Sequence, residues 1–301
     1  MMDVRIFEMT ESGERLDKAL SEKLPEFSRV QVQDLIKNGQ VKVNEKTPKS
    51  SYRIEIGDRV EVSIPPREDQ VGVEPEAIPL DVLYEDDQLV AINKPAGLVV
   101  HIGHGNESGT LVNALLARWS QVAQVGDIRR AGIVHRLDKD TSGIILIALN
   151  EVVQRKLMSQ FQRREVKKVY WALVEGQPKT ETGRIDAPIG RDPKQRKMMA
   201  VIRGGREAIS NFRVLERFEN HTLLEVQIET GRTHQIRVHM AFIGCPVVGD
   251  TIYGYRKQSI KMGRFFLHAK TISFTHPLSG AAMTLNTDLP PELQNVIDKL
   301  R

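Results

Sequence analysis

The stretch Ala131–Asn150, AGIVHRLDKDTSGIILIALN, places a compact polar cluster directly before an unbroken apolar run. Asp138 sits in that cluster, flanked by Arg136 and Lys139, with His135 just ahead and Asp140 just after. A carboxylate can serve as a covalent nucleophile when it stays ionised. Enclosure strips its hydration and disfavours the charged form, so such a group needs a guanidinium or ammonium beside it.

Something must hold that carboxylate still. Ile144–Leu149 is rich in isoleucine and preceded by Gly143, the pattern of a buried strand, which fixes the loop that leads into it. Further strands are expected at Leu89–Ile92, Lys168–Val174, Thr222–Ile228 and Phe265–Ala269, and helices at Leu111–Arg118, Val152–Gln162 and His234–Ile243. Strands outnumber helices without a regular βα alternation. The fold class is therefore α+β, a mixed sheet with flanking helices.

Ahead of this part lies a smaller one. Leu16, Ala19, Leu20 and Leu24 share a helical face, and Ser28 suits the N-cap of a second helix ending near Gly39. Gln40–Asn44 and Arg59–Ser63 alternate like strands on either side of a Gly57-Asp58 turn. Residues 64–80 contain four prolines and no sustained periodicity. The expected division is a module at 1–66, a linker at 67–80 and a larger domain at 81–301.

At 301 residues the chain can build two cores, and 27% charged content is ordinary for a water-soluble protein. The lone Cys245 rules out an intramolecular disulfide framework and, among apolar neighbours, reads as a buried inert thiol. With no apolar run of membrane-spanning length, the expected setting is the cytoplasm. The net charge of +4 is uneven: residues 1–66 carry eleven Lys/Arg against twelve Asp/Glu, and residues 67–130 five against ten. The remainder holds 27 against 17, so the excess positive charge accompanies the carboxylate cluster. The segment Arg184–Arg206 alone has seven Lys/Arg and two Asp, and reads as a solvated loop or an RNA-gripping hairpin. His101 and His104 invite a metal reading, but no acidic or cysteine ligand completes a set at recognised spacing.

Four motifs in order resemble the pseudouridine synthases of the RluA and RluD type: INKPAGLVVH at 92–101, GIVHRLDKDTSG at 132–143, KKVYWALVEG at 167–176 and TGRTHQIRVHMAFIGCPVVGDTIYG at 230–254. The KPAGLVVH wording is closer to the D-type, although Ile102 stands where such relatives usually have proline. Residues 13–64 resemble the RNA-binding domain named after ribosomal small-subunit protein four. The resemblance implies a largely antiparallel sheet in the larger domain. It also implies isomerisation of uridine to pseudouridine in 23S ribosomal RNA, with the helix 69 stem-loop as target. Free rRNA or pre-ribosomal particles would be the partner, no metal or cofactor would be needed, and a monomer is the default.

Residue by residue, the resemblance implies that Asp138 is the nucleophile and Arg237 its partner. Tyr170 would lie against the target base and help remove its C5 proton. Arg136 and His135 would assist extrusion of the uridine, Arg136 by filling the vacated stack. Arg232, Thr233 and His234 would bind backbone phosphate at a helix N-terminus or cap that helix. Arg15, Arg29, Lys37 and Lys42 would meet RNA from the small module. Asp140, the rival carboxylate, would cap the loop or the next element. Taken alone, the Asp138–Arg237 pair reads more readily as structural and Tyr170 as core; the register of four motifs decides for chemistry. Two other activities fit parts of the pattern: a non-catalytic rRNA-binding or assembly factor on this scaffold, and an RNA N-glycosidase.

Overall fold

Apolar spacing in the first third of the chain builds β1 (Asp3–Glu8), α1 (Leu16–Lys23), α2 (Arg29–Lys37), β2 (Val41–Val43) and β3 (Arg59–Ile64). In this computed structural model the described residues are 3–25, 27, 29–64, 73–103, 105–195 and 198–301. Ser28 as a helix cap, residues 67–72 of the expected linker, His104, and Arg196 and Lys197 of the basic segment lie outside the described residues. Leu16, Ala19, Leu20 and Leu24 of the first helical pattern are buried with Leu35, Ile36, Val41, Val60 and Val62. The three strands pair antiparallel in the order β1-β3-β2. β1 carries no signal in the sequence because its apolar residues Val4 and Ile6 are half exposed. Gly39, at φ +74°, turns the chain out of α2 with its N–H on the carbonyl of Ile36, a conformation that favours glycine.

The chain divides into two compact units, Met1–Gly72 and Val73–Arg301. The larger contains β4 (Asp81–Glu85), β5 (Leu89–Lys94), α3 (Leu111–Arg118), β6 (Ser142–Ala148), α4 (Glu151–Gln162), β7 (Lys167–Glu175), β8 (Thr182–Asp186), β9 (Ile189–Arg191), β10 (Met199–Val201), β11 (Ile209–Arg217), β12 (His221–Ile228), α5 (Gln235–Phe242), β13 (Leu267–Thr275), β14 (Ala282–Asn286) and α6 (Pro291–Leu300). Nine strands form one sheet, β4-β5-β6-β13-β7-β12-β11-β8, with β14 pairing Thr271–Thr275 of β13, beyond its contact with β6. Only the β6–β13 contact is parallel. The mixed, largely antiparallel α+β architecture is thus the one expected.

β6 is buried along its whole length, which is why its sequence shows no alternation. Ile144, Leu146 and Ala148 pack with Val153 and Leu157 of α4, while Ile145 and Ile147 pack with Leu111, Leu115 and Val112 of α3. Each fully buried isoleucine contributes about 1.5–3 kcal/mol, so the strand is firmly seated. Gly143 stands at φ +111°, and a Cβ there would lie 2.3 Å from the carbonyl oxygen of Ala269 on β13. That close approach lets the parallel strand dock beside the loop carrying Asp138. The basic segment folds as β8 followed by the antiparallel β9–β10 hairpin. Beyond Ala269, β13 continues as an alternation of Ile272 and Phe274 with polar residues, longer than the apolar signal suggests. Cys245 is buried in the main core. No helix among the described residues is long and apolar enough to cross a membrane.

Candidate active site

The loop between Ile133 and β6 is held by cations and carbonyls. The ammonium of Lys94, wholly buried at the end of β5, donates to the carbonyls of Pro95 (2.8 Å), Leu98 (2.9 Å) and Lys139 (3.0 Å). Burial pulls Lys94 down to about 7, while three carbonyls supply acceptors for all three N–H bonds of its charged form. Gly97 donates its N–H to the same Lys139 carbonyl, and Arg264 donates to the carbonyl of Asp140 at 3.0 Å and to the Ser142 hydroxyl at 3.0 Å. Asp138 is thereby fixed by its neighbours' backbone. Asp140 makes no capping bond among the described residues, contrary to expectation. Its side chain lines a different cavity, with Gly97, Lys261 and Arg264, because the loop is already capped by Lys94 and Arg264.

Asp138, Arg237, Tyr170, His135, Arg136, Arg232, Thr233 and His234 all line one open cleft of about 490 Å³, within the range of small-molecule sites. Arg237, on α5, is the hub. Its Nε and Nη2 donate to the two carboxylate oxygens of Asp250 at 2.6 and 3.0 Å, while its Nη1 reaches Asp138 at 3.4 Å. The side chains of Arg237 and Asp250 are 4% and 0% exposed, that of Asp138 18%. The expected partnership with Asp138 is therefore present but secondary: the fork is spent on Asp250, and one remaining N–H faces the nucleophile. The guanidinium also stacks near Phe265 (4.2 Å to the ring centroid) and Tyr253 (5.0 Å). Asp250 further accepts from the backbone N–H groups of Ile252 and Tyr253, and Arg237 together with those bonds offsets the desolvation that would raise its pKa.

β7 turns Tyr170 into the same cleft. Burial first, and then the charge of Asp138, raise the phenol well above its ordinary value, so it stays protonated at neutral pH. His234 takes a left-handed conformation (φ +57°) at the start of α5, without a side-chain capping bond. Its Nδ1 lies 2.8 Å from the hydroxyl of Tyr253, which itself accepts the N–H of Met199 at 2.9 Å. Burial lowers His234 from its usual range, opposed in part by Asp138.

The remaining predicted residues fall into two groups. His135 lines the cleft, yet its Nε2 accepts the N–H of Leu146 at 2.9 Å and its ring packs 4.8 Å from Phe161. Burial pulls it down to about 3, which keeps the acceptor lone pair free of a proton. Arg136 is exposed at the rim. Arg232 is oriented by Nε donating to the carbonyl of Glu207 at 2.8 Å. In the N-terminal unit, Arg15 and Arg29 converge on the buried carboxylate of Asp17, which also accepts from Gln33. Asp17 is held far below the ordinary carboxylate range, chiefly by Arg15. Both guanidiniums remain about half exposed, whereas Lys37 and Lys42 stand out in solvent.

Sequence reasoning missed Asp250, Lys94, Tyr253 and Lys168. Asp250 and Tyr253 sit inside the quoted GDTIYG stretch, where an acid thirteen positions after Arg237 has no helical spacing to reveal the contact. Lys168 shares the cleft-facing parity of Tyr170 along β7, a signal present in KKVYW.

Known proteins of one family are similar to this chain. Residues 88–242 match the RNA pseudouridylate synthase family, and residues 14–60 match the S4 domain. An uncharacterized RNA pseudouridine synthase of Bacillus subtilis, YlyB, is 44% identical, covering 97% of this chain and 95% of its own. Ribosomal large subunit pseudouridine synthase D of Xanthomonas campestris is also 44% identical, covering 96% of this chain and 90% of its own. The structure of human RNA pseudouridylate synthase domain containing 1 superposes with a TM-score of 0.59 at 25% identity, over 75% of this chain and 96% of that one.

Proposed function

The chain belongs to the RNA pseudouridylate synthase family, and from that membership we propose that it isomerises particular uridines of large-subunit ribosomal RNA to pseudouridine by covalent catalysis from Asp138. The observation that carries the mechanism is Asp138 facing an open cleft while Arg237, locked by Asp250, spares it a single N–H. A nucleophile needs enough positive charge nearby to stay ionised and not so much that its lone pairs are engaged.

The reaction breaks the N1–C1′ bond, joins C5 to C1′ and moves one proton from C5 to N1, so nothing is added from outside. The target nucleotide leaves its stack and enters the cleft, with Arg136 at the rim placed to fill the gap. Asp138 adds to ribose C1′ or to uracil C6, and the detached or tethered base turns in the enclosure. Tyr170, protonated, stands against the base; any proton it takes from C5 must be matched by one it passes on, and Asp138 is the carboxylate whose charge it senses. The S4 match supports RNA delivery by the N-terminal unit, where Asp17 draws Arg15 and Arg29 together. The D-type motif wording and the named relatives favour the helix 69 stem-loop of 23S rRNA, on free rRNA or pre-ribosomal particles. The enzyme acts in the cytoplasm as a monomer, with no metal or cofactor.

Asp138→Asn tests this. Pseudouridine mapping on a 23S transcript incubated with the variant is expected to show no product, with RNA affinity within about twofold of wild type. Undiminished product would remove Asp138 from the reaction.

A further inference from the structure

Lys168 plays no part in the chemistry above, yet its side chain lies in the cleft. It precedes Tyr170 by two on β7, so both point to the same face. It is only 9% exposed, and among the described residues no carboxylate or carbonyl accepts a bond from its Nζ; the Phe161 ring centroid lies 5.8 Å from Nζ. A largely enclosed lysine whose ammonium has no counter-ion is costly, and an anionic ligand in the cleft would supply the missing charge.

Its surroundings sharpen the point. Arg164, Arg206 and Arg232 line the same part of the cleft. Arg232 is aimed by its bond to the Glu207 carbonyl. Arg164 follows α4 in a left-handed conformation (φ +62°), where glycine would be less strained, and forms an ion pair with Glu207. The other acid lining the cleft, Glu229, is engaged with Arg184 and Asn211. Burial and the charges of Arg232 and Arg164 pull Lys168 down to about 8. Arg232 is likewise lowered, by burial first and then by Arg206. These cations repel one another while the cleft is empty.

We propose that Lys168, with Arg232 and Arg164, forms an anion seat in the cleft for the phosphodiester adjoining the flipped uridine. This rests on the pseudouridine synthase reading for the identity of the nucleotide. Lys168 is a binding residue that meets the phosphodiester and not the reacting atoms. Removing its charge weakens RNA binding and leaves the chemical step largely intact once RNA is bound.

The test uses the full chain, unmodified 23S rRNA transcript, and the variants K168Q and K168R. Binding is measured from 50 to 400 mM salt, pseudouridine formation under single turnover at saturating enzyme, and thermal midpoints alongside. The expectation for K168Q is roughly five- to tenfold weaker binding. The log K against log salt slope should be shallower by about 0.7, the value for one phosphate contact on single-stranded RNA. The saturated rate should stay within about threefold, and the midpoint should be equal or raised because a buried repulsion is relieved. K168R restores most of the affinity. Unchanged affinity and slope would overturn the proposal, as would a collapsed saturated rate at normal affinity, which would put Lys168 on the reacting base. A lowered midpoint in both variants would make the ammonium structural and overturn it too. Wild-type protein that binds the transcript and forms no pseudouridine would defeat the enzymatic reading separately, because the binding arms do not depend on turnover.

Discussion

Replacing Asp250 with asparagine tests whether the nucleophile is governed by a shared guanidinium. Arg237 is almost fully buried and bonded to Asp250 at 2.6 and 3.0 Å, with Asp138 at 3.4 Å. Removing one partner of a buried pair strands the other charge and costs about 3–5 kcal/mol. Here Asp138 stays as a second counter-ion and asparagine still accepts one N–H, so about 2–3 kcal/mol is expected. At about 2–4 °C per kcal/mol for a unit of this size, the melting midpoint of the larger unit should fall by roughly 5–10 °C. The second effect is chemical. Released from Asp250, the guanidinium is drawn to Asp138 and engages the lone pairs the reaction needs. A full pair at 4 Å is worth about 4 kcal/mol at an effective dielectric near 20, and part of that is already present. A penalty of about 1–2 kcal/mol remains, close to tenfold in single-turnover pseudouridine formation. The double variant R237M/D250N should recover at least half of the lost thermal stability, because no buried charge in that pair is stranded, yet stay slow. D250N protein that melts and reacts like wild type would refute the reasoning.

Three other outcomes follow from the same geometry. Lys94→Met takes the ammonium from the carbonyls of Pro95 and Leu98 and leaves that of Lys139 with the Gly97 N–H alone; it should cost about 2–4 kcal/mol in denaturant unfolding, with activity lost in proportion to the freed Asp138 loop. Gly143→Ala forces a Cβ to within 2.3 Å of the Ala269 carbonyl, so β6 and β13 must part; at least 2 kcal/mol of destabilisation is expected by urea titration, and an unchanged midpoint would contradict the close approach. His135 is held neutral with a folded pKa of about 3 against about 6.5 unfolded. Its contribution is complete above pH 6.5 and is lost as pH falls from there toward 3, by up to about 1.4 kcal/mol per pH unit, since only the unfolded chain takes the proton. Acid titration of His135→Gln should show that slope reduced.

What could be read from residue order alone was whatever depends on neighbours along the chain. The run Ile144–Leu149 declared a buried strand, Leu16, Ala19 and Leu20 a helix face, and HRLD placed before that strand a carboxylate on a fixed loop. The ordered motifs carried the family and the residues Asp138, Tyr170 and Arg237. β1 went unseen because its apolar side chains Val4 and Ile6 meet solvent, and β8 to β10 because each is only three to five residues long. The electrostatic balance of the cleft was beyond sequence reach for a different reason. Which of two carboxylates receives the fork of Arg237, which lysine closes on the Lys139 carbonyl, and which is left without a partner are settled by distances of a few ångströms between β5, β7, α5 and the loop at 250. Coulomb and hydrogen-bond energies vary steeply over that range, and only the folded chain sets it.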